Sequence, residues 1–258
     1  MTIVGAENGP TVMLSHGFGC DQNLWRAVVD LMAPTCRIVL FDHVGAGASD
    51  TSGWDEESYS FLEKYAADVV DIVRDLALND VMFVGHSVAA MIGVLAAADH
   101  PDMFGKLVLL TPSPRYLDDT DYRGGFTRAD IDELLESLDS NYLGWSQAMA
   151  PVIMGNPGRP ELGEELTDSF CRTDPACARA FARATFLSDN RADLPRVATP
   201  TLVVECANDS LAPRWVGEYV HSAIDGSTLV TLDASGHCPH VSHPDITAAA
   251  ILSFVDAA

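Results

Sequence analysis

Ser87, Asp209 and His237 are the residues of this sequence whose types and settings could act together on an acyl group. Ser87 lies in Met82–Gly93, MFVGHSVAAMIG, where apolar, β-prone Met82, Phe83 and Val84 give way to an Ala-, Met- and Leu-rich run from Val88 to Ala98. Gly85-His86-Ser87 must then be a tight strand-to-helix turn, which presents the serine at a strand end and needs small neighbours where strand and helix approach closely. Gly85 meets that need. Ala89 replaces the last glycine of G-x-S-x-G, a one-carbon change that is tolerated if the backbone there stays at negative φ. A serine hydroxyl is a poor nucleophile at its own pKa, so it needs a base and a group that holds the base. The run Thr201–Glu205 is followed by Cys206-Ala207-Asn208-Asp209, and Thr228–Leu232 by Asp233-Ala234-Ser235-Gly236-His237. In this reading His237 takes the Ser87 proton, and Asp209 orients the imidazole and stabilises its cation.

Each residue alone has a plainer reading. Asp209 or Asn208 fits a turn that caps the following helix, and His237, like His240 and His243, fits a surface loop. Asp233 is an alternative acid, poorly placed because it opens the histidine's own loop. What favours the triad is the joint order of serine, acid and histidine on three strand ends. The sequence His16-Gly17-Phe18-Gly19, directly after Thr11–Leu14, offers the Phe18 backbone N–H to a developing oxyanion, and the Val88 N–H is the second donor. His16 and His86 read as structural groups that hydrogen-bond the loops beside the site. Serine rather than aspartate at the turn selects acyl transfer over an alkyl-enzyme ester.

The elements that position these groups follow from periodicity. Short apolar runs at Thr11–Leu14, Ile38–Phe41, Met82–Val84, Leu107–Leu110, Thr201–Glu205 and Thr228–Leu232 alternate with helical stretches at Asn23–Met32, Ser58–Leu76, Val88–Asp99, Arg214–Ala223 and Pro244–Val255. Such alternation predicts an α/β fold with a mostly parallel central sheet and helices on both faces. Between Pro112 and Pro200 the pattern changes to four successive helical segments, near Arg128–Leu138, Tyr142–Met154, Glu161–Arg172 and Pro175–Leu187. Residues 1–112 and 200–258 are therefore expected to form the core, and 113–199 a four-helix cap over the carboxyl ends of the strands. Phe126, Trp145 and Phe186 are the cap aromatics expected to face a ligand, together with the ring of Phe18.

Composition narrows the function. The 258 residues carry a formal net charge of −22, which disfavours nucleic acid and anionic membranes. DHVGAGAS, Asp42–Ser49, lacks a Walker lysine and the G-x-G-x-x-G spacing, so no nucleotide cofactor is expected. The six cysteines are scattered without C-x-x-C pairs, which predicts free thiols and no metal site; Cys238 stands out because it adjoins His237. MTIVGAENGP has no basic or apolar leader pattern and no run reaches a membrane-spanning length, so a cytoplasmic location is expected.

The blocks GFGCDQNLW, FDHVGAGASD, FVGHSVAAMIG, TPSPRYLDD, YRGGF, NYLGW, FCRTDP, FLSDNR and ASGHCPHVSHP, spanning Gly17 to Pro244, resemble the RsbQ-like family of bacterial stress-response regulators. More distantly they resemble the plant strigolactone and karrikin receptors. The resemblance implies an α/β-hydrolase fold, Ser87, Asp209 and His237 as the triad, Phe18 and Val88 as oxyanion donors, and a cap roofing a small apolar pocket. It also implies two roles. One is hydrolysis of a small, apolar, uncharged ester or lactone; the other is signalling, in which the ligand is bound or slowly cleaved and a PAS-domain phosphatase or other regulatory protein is engaged. The segment before Gly9-Pro10 is short, so the family's first strand is expected to be curtailed or missing.

Overall fold

A computed structural model describes residues 1–256 of the chain. Among the described residues seven strands form one sheet: β1 (Thr2–Gly5), β2 (Thr11–Ser15), β3 (Arg37–Leu40), β4 (Val81–His86), β5 (Phe104–Leu110), β6 (Thr201–Asn208) and β7 (Thr228–Ser235). Their order is β1-β3-β2-β4-β5-β6-β7, with β1 antiparallel to β3 and every other pairing parallel. The helices in chain order are α1 (Arg26–Met32), α2 (Leu62–Asp75), α3 (Val88–Asp99), α4 (Arg128–Ser140), α5 (Tyr142–Met154), α6 (Pro160–Cys171), α7 (Pro175–Leu187), α8 (Arg214–Ala223), α9 (Pro239–Ser242) and α10 (Pro244–Val255).

Successive side chains of a strand point to opposite faces, and here both faces are apolar. Met13, Val39, Phe83, Leu107, Leu109 and Val203 pack with residues of α2, α3 and α8. Their neighbours Val12, Ile38, Met82, Val84, Val108 and Val204 pack on the other face with Val28 and Met32 of α1 and Ala248 and Ile251 of α10. A third cluster joins α4, α5, α6 and α7, which lie between β5 and β6, to Cys20, Tyr116, Leu211 and Cys238 on the strand-end loops. The apolar faces of these four helices are thus buried over the carboxyl ends of the strands.

Three details refine the sequence expectations. The first strand is present as Thr2–Gly5, a short, wholly exposed edge held by pairing with β3. Helix α2 begins at Leu62, because Phe61 is extended and separates it from a single 3-10 turn at Ser58–Ser60. Strands β4, β6 and β7 run beyond their apolar cores to His86, Asn208 and Ser235, which brings each to the edge of the loop that bears a reactive group.

Candidate active site

Ser87 closes the turn between β4 and α3 with φ 57° and ψ −124°, a conformation that costs a β-carbon-bearing residue on the order of 1–3 kcal/mol. The Ser87 N–H is tied to the Leu110 carbonyl of β5 at 2.9 Å, which holds the turn against the sheet. Gly85 is required for this approach, since a β-carbon there would fall 2.3 Å from the Ala89 carbonyl oxygen. Ala89 itself lies in helix α3, outside the positive-φ region, so its methyl group is accommodated.

A relay of short hydrogen bonds starts at this serine. Its Oγ lies 2.8 Å from Nε2 of His237, and Nδ1 of His237 lies 2.7 Å from Oδ2 of Asp209. With Nδ1–H donating to the carboxylate, Nε2 is the free base that accepts the serine proton. The other carboxylate oxygen of Asp209 accepts the N–H groups of Leu211 and Ala212 at 2.9 and 3.1 Å. The turn-capping role and the histidine-holding role are therefore both filled, by different oxygens of one side chain. All three residues are buried. Asn208 and Asp233 are exposed, and Asn208 reaches only the Ser235 hydroxyl.

The loops around the relay are fixed by buried histidines. His86 Nε2 donates to the His237 carbonyl oxygen at 2.8 Å, an oxygen that also accepts the Thr111 hydroxyl at 3.2 Å. The His237 N–H reaches the Ile153 carbonyl in α5 at 2.9 Å, so the histidine loop is pinned to both sheet and cap. His16 Nε2 accepts the His43 N–H at 3.0 Å while its Nδ1 bonds the Gly17 carbonyl at 2.9 Å, binding the Gly17-Phe18 loop to the loop after β3. Burial lowers the pKa of His16, so it stays neutral and keeps this donor and acceptor pattern. The Gly17 loop runs against the serine: a β-carbon on Gly17 would lie 3.0 Å from Cβ of Ser87. Val88, the residue after Ser87, carries the first N–H of α3 and has no acceptor within its own helix.

A cavity of about 30 Å³ opens above Ser87 and His237. Phe18, Trp145 and Phe186 line it as the sequence suggests, joined by Met149, Leu166 and Leu211. Among the described residues that line it there is no Asp, Glu, Lys or Arg. Phe126 does not line it. The Phe126 backbone pairs with Tyr116 and Asp118, and its ring sits 6.2 Å from that of Tyr116. Tyr116 takes the place expected of Phe126: its ring is 5.0 Å from Phe186 and its hydroxyl lies 3.5 Å from Ser87 Oγ. Burial pushes the Tyr116 phenol up to about 12, so it remains a protonated donor. Its one sequence signal was the block TPSPRYLDD, in the strand-end loop after β5.

The model of the alpha/beta hydrolase family matches residues 12–250, which include the serine turn and both loops of the relay. The chain belongs to this family. It is 38% identical over 256 residues to the probable esterase D14L of Oryza sativa subsp. japonica, covering 99% of this chain and 94% of that one. It is also 38% identical to the karrikin insensitive 2 receptor CA of Petunia hybrida over 246 residues, 95% of this chain and 91% of the relative. Among solved structures, olei00960, a hydrolase from Oleispira antarctica, superposes with a TM-score of 0.96 at 40% identity, covering 100% of this chain and 94% of that one. Among the described residues no helix is long and apolar enough to cross a membrane, and no group of three or more His, Cys, Asp or Glu is arranged to hold a metal ion.

Proposed function

We propose that the chain is a serine hydrolase that cleaves a small, apolar, uncharged carboxylic ester or lactone. The observation that carries this reading is the unbroken relay from Ser87 through His237 to Asp209 at the floor of an apolar cavity. His237 Nε2 takes the Ser87 proton as Oγ attacks the carbonyl carbon, and Asp209 stabilises the imidazolium. The Phe18 and Val88 N–H groups receive the oxyanion of the tetrahedral intermediate. His237 returns the proton to the leaving alkoxide, leaving an acyl group on Ser87, and a water activated by His237 then releases the acid. A lining without ionised side chains desolvates a neutral acyl group without cost and strands a charged one, so neutral esters are the substrates of choice. The small cavity above Ser87 favours a short acyl group.

Rapid mixing with p-nitrophenyl acetate tests this reading. A burst of p-nitrophenol equal to the enzyme concentration, with one acetyl group on the Ser87 peptide, is expected. Turnover with the acetyl group on any other residue would overturn it.

A second reading is ligand sensing with slow turnover and a regulatory partner such as a PAS-domain phosphatase. The receptor name of the petunia relative supports it. A partner captured only in the presence of a neutral lactone, by protein with turnover of a few per hour, would favour sensing over metabolic hydrolysis.

A further inference from the structure

Two cysteines share the cavity with the relay. Cys20 ends the loop that carries Phe18, and Cys238 follows His237; both line the cavity above Ser87 and each is 1% exposed. Within this shared cavity each thiol shifts the other's ionisation, Cys238 lowering the pKa of Cys20 and Cys20 raising that of Cys238. His86 completes the group. Its Nε2–H is committed to the His237 carbonyl, which leaves Nδ1 as a buried acceptor nitrogen without a hydrogen-bond partner, beside Gly17 in the loop that ends at Cys20.

We propose that Cys20 and Cys238 form a peroxide-reactive dithiol, in which Cys20 is the attacking sulfur, Cys238 the resolving one and a small hydroperoxide the co-substrate. The Cys20 proton passes to His86 Nδ1, and the thiolate attacks one oxygen of hydrogen peroxide. The O–O bond breaks, the leaving hydroxide takes the proton held on His86 Nδ1 to become water, and Cys20 becomes a sulfenic acid. Cys238 then attacks that sulfur: the S–S bond forms, the S–O bond breaks, and hydroxide departs with the Cys238 proton as a second water. Two thiols are oxidised and one peroxide is reduced.

The electrostatics agree with this division of roles. The Cys20 thiol is lowered by the Cys238 hydrogen bond and by His86, against the opposing effect of burial. Cys238 is raised by its bond to Cys20 and by burial, so it keeps the proton that the second step releases. The buried Cys36, Cys177 and Cys206 are all raised, chiefly by burial, and Cys171 is exposed with no thiol beside it in this cavity. Both thiols are 1% exposed within this small cavity, which favours a co-substrate as compact as hydrogen peroxide over bulky disulfides. The product would tie the Phe18 loop to the His237 loop across the acyl site, so oxidation should arrest hydrolysis. That last consequence rests on the hydrolase reading; the thiol chemistry does not.

The test starts from reduced wild-type protein. It is treated with hydrogen peroxide, quenched with catalase, denatured in iodoacetamide and digested for peptide mass analysis. A Cys20–Cys238 linked peptide that disappears with dithiothreitol is expected, while the other four cysteines carry the alkyl group. In parallel, hydrolysis of p-nitrophenyl acetate should fall at least about tenfold and return with dithiothreitol. Cys238→Ser, measured against its own untreated rate, should accumulate a Cys20 sulfenic acid that dimedone traps. Alkylation of both Cys20 and Cys238 after a peroxide dose that oxidises Cys171 would overturn the proposal. So would overoxidation of Cys20 in the wild type with no linked peptide. The peptide map needs no substrate, so a linked peptide in a protein without esterase activity would sink the hydrolase reading and leave the dithiol standing.

Discussion

Asp209 and His237 meet through one carboxylate oxygen only: Oδ2 lies 2.7 Å from His237 Nδ1, while Oδ1 accepts the N–H groups of Leu211 and Ala212. An amide at this position can still cap the turn through its oxygen, but it then presents an NH2 group to Nδ1 and reverses the tautomer. Asp209→Asn should therefore stay folded and lose at least about 10³-fold in kcat/KM on p-nitrophenyl acetate. Asn208→Ala, which removes a side chain bonded only to Ser235, should stay within about threefold of wild type. Reversed magnitudes in the two variants would reassign the acid.

The Tyr116 hydroxyl, 3.5 Å from Ser87 Oγ, is close enough to donate to the oxygen as it loses its proton. Tyr116→Phe keeps the ring against Phe186 and deletes one neutral hydrogen bond, a loss of about 1 kcal/mol. A fall in kcat of about fivefold with KM unchanged is the expected steady-state result. Equal effects on kcat and KM would mean that the phenol only shapes the cavity.

Trp145 is an apolar wall of the cavity, packed on Phe18 and Phe170 at centroid separations of 6.1 and 5.4 Å. Such contacts are made alike in ground and transition states. Trp145→Ala should thus raise KM for acetate and butyrate esters more than it lowers kcat. A variant that matches wild type on both esters, or an enzyme that prefers an anionic ester, would contradict the apolar pocket.

Stability should depend on pH through three buried histidines. Burial lowers the pKa values of His16, His43 and His240 from the usual 6.5 in the folded state, so below that value the unfolded chain binds protons that the folded one does not. Stability then falls with decreasing pH, by up to about 1.4 kcal/mol per pH unit for each histidine. Thermal melts should show Tm constant above pH 6.5 and dropping steadily towards about pH 5, before most carboxylates titrate. A Tm that rises over that interval would mean that these imidazoles gain protons on folding.

The buried strands and the relay were legible because their signals are local: an apolar run, a turn that demands Gly85, and an acid or histidine just past a strand end. The edge strand Thr2–Gly5 gave no such signal, since it is held by backbone pairing and every side chain is exposed. Phe126 was misplaced and Tyr116 overlooked for one reason. Both lie in the loop between β5 and α4, where a backbone pairing between Leu117 and Phe126 decides which ring reaches the serine, and no periodicity reports that pairing. Cys238 could be noticed beside His237, but its meeting with Cys20 depends on two strand-end loops converging over the sheet.

The most direct measurement of the central claim is steady-state hydrolysis of p-nitrophenyl acetate by wild type and Ser87→Ala, with circular dichroism to verify the fold. Loss of at least about 10³-fold in kcat/KM by a folded Ser87→Ala is predicted, because Ser87 Oγ is the hydroxyl hydrogen-bonded to the base at His237 Nε2. Turnover unchanged in the folded variant would contradict the account.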